Sequence, residues 1–191
     1  MNAFGPSFYH FKNDKTIYEH LNGYIGAVNI DLKLNDHSAF DERSNIYGLM
    51  EAGSVYPNVG SQMPAVFIQP NTNLLEFCTY LNGSQQCLIP GITFDANEWF
   101  NIRIINFCWD KCYFVLAKDG EVEFYWINTT YNQTMIAHDV SGVIGNTYNQ
   151  VDIVAASGEY KNFEVFIDSY ENEAFFETEL DESGAENFQN N

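Results

Sequence analysis

Basic residues are scarce in this chain: 8 lysines and arginines stand against 26 aspartates and glutamates in 191 residues, a formal net charge of −18. Phosphate backbones are bound by displacing counterions with Lys and Arg, so the charge balance excludes a nucleic-acid partner. It also argues against anionic membrane surfaces. No apolar run approaches the roughly 20 residues that a membrane-spanning helix requires, so membrane insertion is not expected. Internal repeats and low-complexity tracts are missing too. The four histidines (His10, His20, His37, His138) are scattered and read as surface or locally bonded groups. There is no His-Glu-x-x-His, no Gly-x-Ser-x-Gly and no phosphate-binding glycine loop, which removes the commonest hydrolase and nucleotide-binding signatures. The first residues, Met1-Asn2-Ala3-Phe4-Gly5-Pro6, lack the basic start and apolar stretch of a signal peptide. An extracellular chain would then have had its leader removed or replaced, or be a fragment of a longer one.

Cysteines number only 4, and they fall in two local pairs. Asn82-Gly83 lies between two strand-like runs, and a type I′ turn needs φ > 0 at both central residues, which Asn-Gly supplies. Counting outward from that turn, Leu81 faces Ser84, Tyr80 faces Gln85, Thr79 faces Gln86, and Cys78 faces Cys87. The last is a non-hydrogen-bonded pair, where Cα atoms sit about 4.5 Å apart, within reach of a disulfide. The second pair, Cys108 and Cys112, brackets the tight loop Trp109-Asp110-Lys111 between two further strand runs and is expected to bridge as well. Neither spacing suits zinc, and no histidine lies near any cysteine, so structural disulfides are the expected state. Asn82-Gly83-Ser84, Asn128-Thr129-Thr130 and Asn132-Gln133-Thr134 are glycosylation acceptors, so Asn82, Asn128 and Asn132 are expected at the surface. Disulfides and acceptors together point outside the cell or to its surface.

The rest reads as strands. Val28, Ile30, Leu32 and Leu34 alternate with Asn29, Asp31 and Lys33, giving one buried and one wet face. Phe100, Ile102 and Ile104 alternate in the same way, as do Val122, Phe124 and Trp126, and Phe163, Val165 and Ile167. Asp119-Gly120 predicts another type I′ turn. Aromatics make up 16% of the chain, and they favour strands. No segment has the pattern of a long amphipathic helix. Strands this numerous imply an all-β, antiparallel protein, a two-sheet sandwich or jelly roll.

Residues 24–168 resemble the laminin G-like and pentraxin-like branch of the concanavalin A-like jelly rolls. The likeness is carried by Tyr24–Asp36, by Asn97-Glu98-Trp99-Phe100-Asn101-Ile102-Arg103-Ile104, by Tyr113–Val122 with its Asp119-Gly120 turn, and by Gln150–Ile167 with Gly158 and Asn162-Phe163. The resemblance implies a jelly-roll domain at 24–168, preceded by an N-terminal segment, 1–23, that packs on it, and followed by an acidic tail, 169–191. Relatives of this fold include laminarinase-type glycosidases, which place carboxylates two residues apart on one strand. Glu121-Val122-Glu123 and Glu177-Thr178-Glu179 have the spacing but lack the third acid, so a solvated face is expected and no catalytic residue is assigned. Calcium is the one cofactor the sequence leaves open, through loop carboxylates such as Asp36, Asp41, Glu42, Asp139 and Asp152. Tyr47, Tyr56, Trp109 and Tyr148, in or near predicted loops, are candidate sugar platforms. Seven acids lie between Glu171 and Glu186, so the tail should repel itself, while Phe175, Phe176 and Leu180 offer an apolar grip for an assembly contact. The expectation is a non-catalytic extracellular binding or structural module, contacting protein or glycan and assembling into an oligomer or filament through its tail. The alternative is a lectin or glycoside hydrolase on the same fold.

Overall fold

The computed structural model describes residues 9–10, 15–51, 64–81, 84–108, 112–128, 136–145 and 153–168. They form twelve strands and, among the described residues, no helix: β1 (Tyr9–His10), β2 (Lys15–Leu34), β3 (Arg43–Glu51), β4 (Ala65–Ile68), β5 (Leu75–Leu81), β6 (Ser84–Leu88), β7 (Trp99–Cys108), β8 (Cys112–Lys118), β9 (Glu121–Asn128), β10 (Ile136–Ile144), β11 (Ile153–Ala155) and β12 (Gly158–Asp168). The expected boundary between residues 23 and 24 falls inside β2.

β2 organises the sandwich. Its first half, Lys15 to Tyr24, pairs with β10, which leads on through β3, β4, β5 and β6. Its second half is flanked by β7 and β12, and β7 leads on through β8 and β9. Two mostly antiparallel sheets therefore share one long strand, and the hydrogen-bonded path between them is unbroken. The single parallel pair among the described strands is β11 on β3.

The alternation read from sequence decides which side each residue faces. Val28, Ile30, Leu32 and Leu34 are buried, and they meet Phe100, Ile102 and Ile104 of β7, Leu49 of β3 and Phe77 of β5 in one core. Each such side chain contributes about 1.5–3 kcal/mol when removed from water. The two predicted hairpin registers also hold. Leu81↔Ser84, Tyr80↔Gln85, Thr79↔Gln86 and Cys78↔Cys87 are the observed partners. Asp119 and Gly120 both have positive φ, 52° and 86°, as a type I′ turn demands.

Two expectations are corrected. Val122 is 42% exposed rather than in the core. The cause is a bulge: Leu116 pairs Phe124 while Ala117 pairs Val122, so Glu123 is an extra residue and Val122 turns to the other face. Tyr47 is no loop aromatic. It lies in β3, fully buried, its ring 5.2 Å from that of Phe163. A second bulge follows Asn45, whose buried amide donates to the carbonyls of Tyr47 and Val66, each at 3.2 Å. That satisfies two acceptors which the broken ladder would otherwise leave bare.

Candidate functional site

The disulfide Cys78–Cys87 is present, with Cα atoms 4.1 Å apart. Around it the outer face of β3–β5 holds a buried polar cluster. Arg43 Nε donates to Glu76 Oε2 at 2.7 Å, and Gln69 Nε2 donates to the same oxygen. Arg43 Nη2 lies 2.9 Å from Cys78 Sγ, and the guanidinium stands 3.6 Å from the centre of the Phe67 ring. Glu76, Cys78 and Cys87 converge closely enough for a metal, but both sulfurs are spent in the disulfide, so the cluster has no thiolate to offer. Its geometry serves cohesion.

An opening among the described residues lies elsewhere, where β2 ends and β12 begins. Lys33, Asn35, Asn97, Ala156, Ser157, Gly158 and Glu159 line a cleft of about 470 Å³. Its walls are strand ends that close on each other. Asn35 N donates to Ser157 O at 3.0 Å, and Asn35 Nδ2 donates to Ser157 Oγ at 2.6 Å. Asn97 N donates to Leu34 O at 2.7 Å from a turn in which Asn97 takes φ 65°, a value asparagine tolerates. Gly158 is required at its position. Its φ is 148°, and a Cβ there would collide with the Lys33 carbonyl oxygen and lie 2.8 Å from Leu34 Cα.

Beneath the cleft sits His37, 1% exposed. Ser157 N donates to its Nε2 at 3.1 Å, so its other nitrogen, Nδ1, carries the proton and donates to Asn35 O at 2.7 Å. The ring is neutral in this arrangement. Burial lowers its pKa below the usual 6.5, outweighing the Asn35 carbonyl and the Asp36 carboxylate, which both raise it. Phe40 and Phe94 enclose the ring, with centroids 4.7 and 6.1 Å away. Of the four histidines, His37 is therefore a buried, locally bonded one.

Beside the cleft the outer face of the second sheet continues in rows. Trp99, Lys33 and Glu159 stand side by side across β7, β2 and β12. Trp99 is 38% exposed, and Lys161 Nζ sits 4.4 Å from the centre of its ring. Lys33 and Glu159 form a half-exposed ion pair at 3.5 Å. In the next rows Asp31 accepts from Asn101 at 2.7 Å and from Asn162 at 2.6 Å, and Asn29 donates to Glu164 at 3.3 Å. Amides and carboxylates next to an exposed indole are groups that match the hydroxyls and the apolar ring face of a sugar.

Of the residues singled out from sequence, Asp36 is held as a loop closer. Its carboxylate accepts from Ser38 N at 3.0 Å, Ser38 Oγ at 2.9 Å and Asn73 Nδ2 at 3.1 Å, and these bonds, Ser38's first, keep its pKa below the usual carboxylate value. Asp41 and Glu42 are exposed. Glu121 and Glu123 are exposed on β9. Cys108 and Cys112 face each other in the β7–β8 ladder, but their side chains lie outside the described residues. The same holds for the side chain of Asn128, at the end of β9. Asn82, Asn132, Tyr56, Trp109, Asp152, Tyr148, Glu177, Glu179, Phe175, Phe176 and Leu180 also lie outside, as does the side chain of Asp139. The cleft residues Lys33, Asn35, Ser157 and Glu159 were not singled out from sequence. Asn97, Trp99 and Gly158 were visible there only as parts of a resemblance.

No protein-family model matches the chain, and no curated protein matches it. Solved structures do. The botulinum neurotoxin serotype D binding domain aligns with a TM-score of 0.53 and 15% identity over 90% of this chain and 45% of its own. The serotype D ligand-binding domain in complex with N-acetylneuraminic acid aligns with a TM-score of 0.52 and 15% identity over 85% of this chain. The chain spans only 37% of that domain's length. The native heptameric SAP-like pentraxin from Limulus polyphemus aligns more loosely, with a TM-score of 0.49 and 14% identity over 83% of this chain and 73% of its own. Strand order, shared core and the alignments with the two serotype D domains define the fold as an all-β jelly-roll sandwich.

Proposed function

We propose that this protein is an extracellular, non-catalytic binding module, and that it binds glycan in the cleft between β2 and β12, with Trp99 as the apolar wall. The observation that carries the reading is the cleft itself: a polar pocket lined by Lys33, Asn35, Asn97, Ser157 and Glu159 next to an exposed indole. Such a set satisfies hydroxyls and stacks on a ring face, and it contains no pair of carboxylates placed for acid–base cleavage. The extracellular setting is supported by the Cys78–Cys87 disulfide. The serotype D domain that bears N-acetylneuraminic acid lends the fold-level analogy.

The tail supports a further, separable role. Phe175, Phe176 and Leu180, set among acids, are proposed to contact a second copy, because an extended acidic segment needs apolar anchors to dock. Glycans at Asn82, Asn128 and Asn132, the second bridge Cys108–Cys112 and the absence of a resident cofactor complete the proposal.

A glycan-array screen of the whole chain, followed by titration of the best hit against Trp99→Ala and Asn35→Ala, tests the cleft. Each variant is expected to weaken binding by roughly tenfold or more, in line with losing a stacked ring or a polar anchor. Unchanged affinity in both, or hydrolysis of the bound glycan, would overturn the proposal.

A further inference from the structure

We propose that His37 is an acid-sensing latch for the cleft: protonating its Nε2 breaks the bond from Ser157 and releases the wall formed by Asn35, Ser157 and Gly158. The inference rests on the cleft reading above but is carried by its own geometry. One imidazole joins the residue after β2 to the residue before β12, accepting from Ser157 N at 3.1 Å and donating to Asn35 O at 2.7 Å. These two residues line the cleft, and their side chains are bonded to each other at 2.6 Å. Only the neutral ring with its proton on Nδ1 can make both bonds. A second proton on Nε2 sets N–H against N–H, so the Ser157 amide must leave its partner or the ring must rotate. Rotation is opposed by Phe40 and Phe94, which enclose the ring.

The charged groups on the packed elements are Asp36 in its own turn, Asp41 and Glu42 following Phe40, Lys33 at the end of β2, Glu159 at the start of β12 and Asp95 beside Phe94. Asp36 alone acts appreciably on the ring and favours the proton, while its carboxylate is held by Ser38 and Asn73. Burial works against the proton and prevails, so the latch stays closed at neutral pH and opens in acid. An extracellular binder so built would release its ligand on entering an acidic compartment.

The test needs no ligand. Nuclear magnetic resonance on the uniformly labelled chain follows the His37 ring nitrogens and amide exchange from about pH 7.5 down to pH 5, the interval in which histidines titrate. The neighbouring amide of Ala156, which donates to Asn45 O at 2.8 Å, is the internal control. The expected result is a neutral Nδ1–H tautomer at the higher pH. As His37 takes up its second proton, the protection factor of Ser157 should fall roughly tenfold, about the worth of one lost hydrogen bond, while that of Ala156 holds. In His37→Asn, which cannot titrate, any surviving Ser157 protection should no longer change with pH. A ring already charged at neutral pH, a ring still neutral at pH 5, or Ser157 protection that is unchanged through the titration of His37 would overturn the latch. Failure to find a glycan would count against the cleft reading and leave this measurement standing.

Discussion

The face around Cys78 and the cleft around Ser157 are both junctions between distant strands, closed by different chemistry. At the first, a disulfide, an Arg43–Glu76 ion pair and the Phe67 ring fill the outer side of β3–β5. At the second, the strands are held by amide and hydroxyl hydrogen bonds and by one neutral imidazole. Residues 153–158 connect the two: Ile153 packs on Phe67 and Cys78, and Ser157 and Gly158 form the cleft wall. The contrast places stiffness at one end of a short segment and adjustability at the other. A binding cleft belongs at the adjustable end, because local opening draws on regions held by few bonds.

Breaking the stiff side should cost most. Arg43→Leu leaves Glu76, 7% exposed, without its cation, and is expected to destabilise the fold by about 3–5 kcal/mol, read by urea denaturation. On the cleft side, Gly158→Ala attacks a close approach of β12 to β2, and about 2–3 kcal/mol is expected in the same measurement, since the added Cβ would meet the Lys33 and Leu34 backbone. Removing the bridge with Cys78→Ala and Cys87→Ala together should cost about 2–3 kcal/mol, because it frees a loop of sequence separation 9 in the unfolded chain.

The soft side should respond to pH. His37 has a folded pKa below its unfolded value of 6.5, so the unfolded chain takes up the proton first. The stability this group confers is complete above about pH 6.5 and declines as pH falls from there toward the folded pKa. Melting temperature should fall across that window and should do so less in His37→Asn. The smallest effect is expected on β9: Glu121→Gln and Glu123→Gln, both exposed, should change stability by no more than about 0.5 kcal/mol.

The same contrast separates what the sequence reveals from what it conceals. At the Cys78 junction the disulfide is legible because it is local: counting outward from Asn82-Gly83 delivers the pairing, whereas Arg43, 33 residues from Glu76, is not. The core face of β2 and β7 is legible because alternation is strict and one face is fully buried. Val122 misleads because a bulge adds one residue, and period-2 reasoning inverts beyond such an insertion. The cleft is nearly invisible in sequence because bonds such as that between His37 and Ser157 join residues 120 apart. Nothing near His37 marks it as buried, since Asn35-Asp36-His37-Ser38 reads as an ordinary polar turn. Gly158 and the Asn97-Glu98-Trp99 run stand out in sequence only as parts of a resemblance.

The most direct test of the account is to map, by amide chemical shifts, where the best glycan from the array touches the whole chain. The account predicts perturbations at Asn35, Asn97, Trp99, Ser157 and Gly158, with the hairpin of Cys78 and Cys87 silent. Perturbations confined to that hairpin, or to the β8–β9 face around Val122, would contradict it.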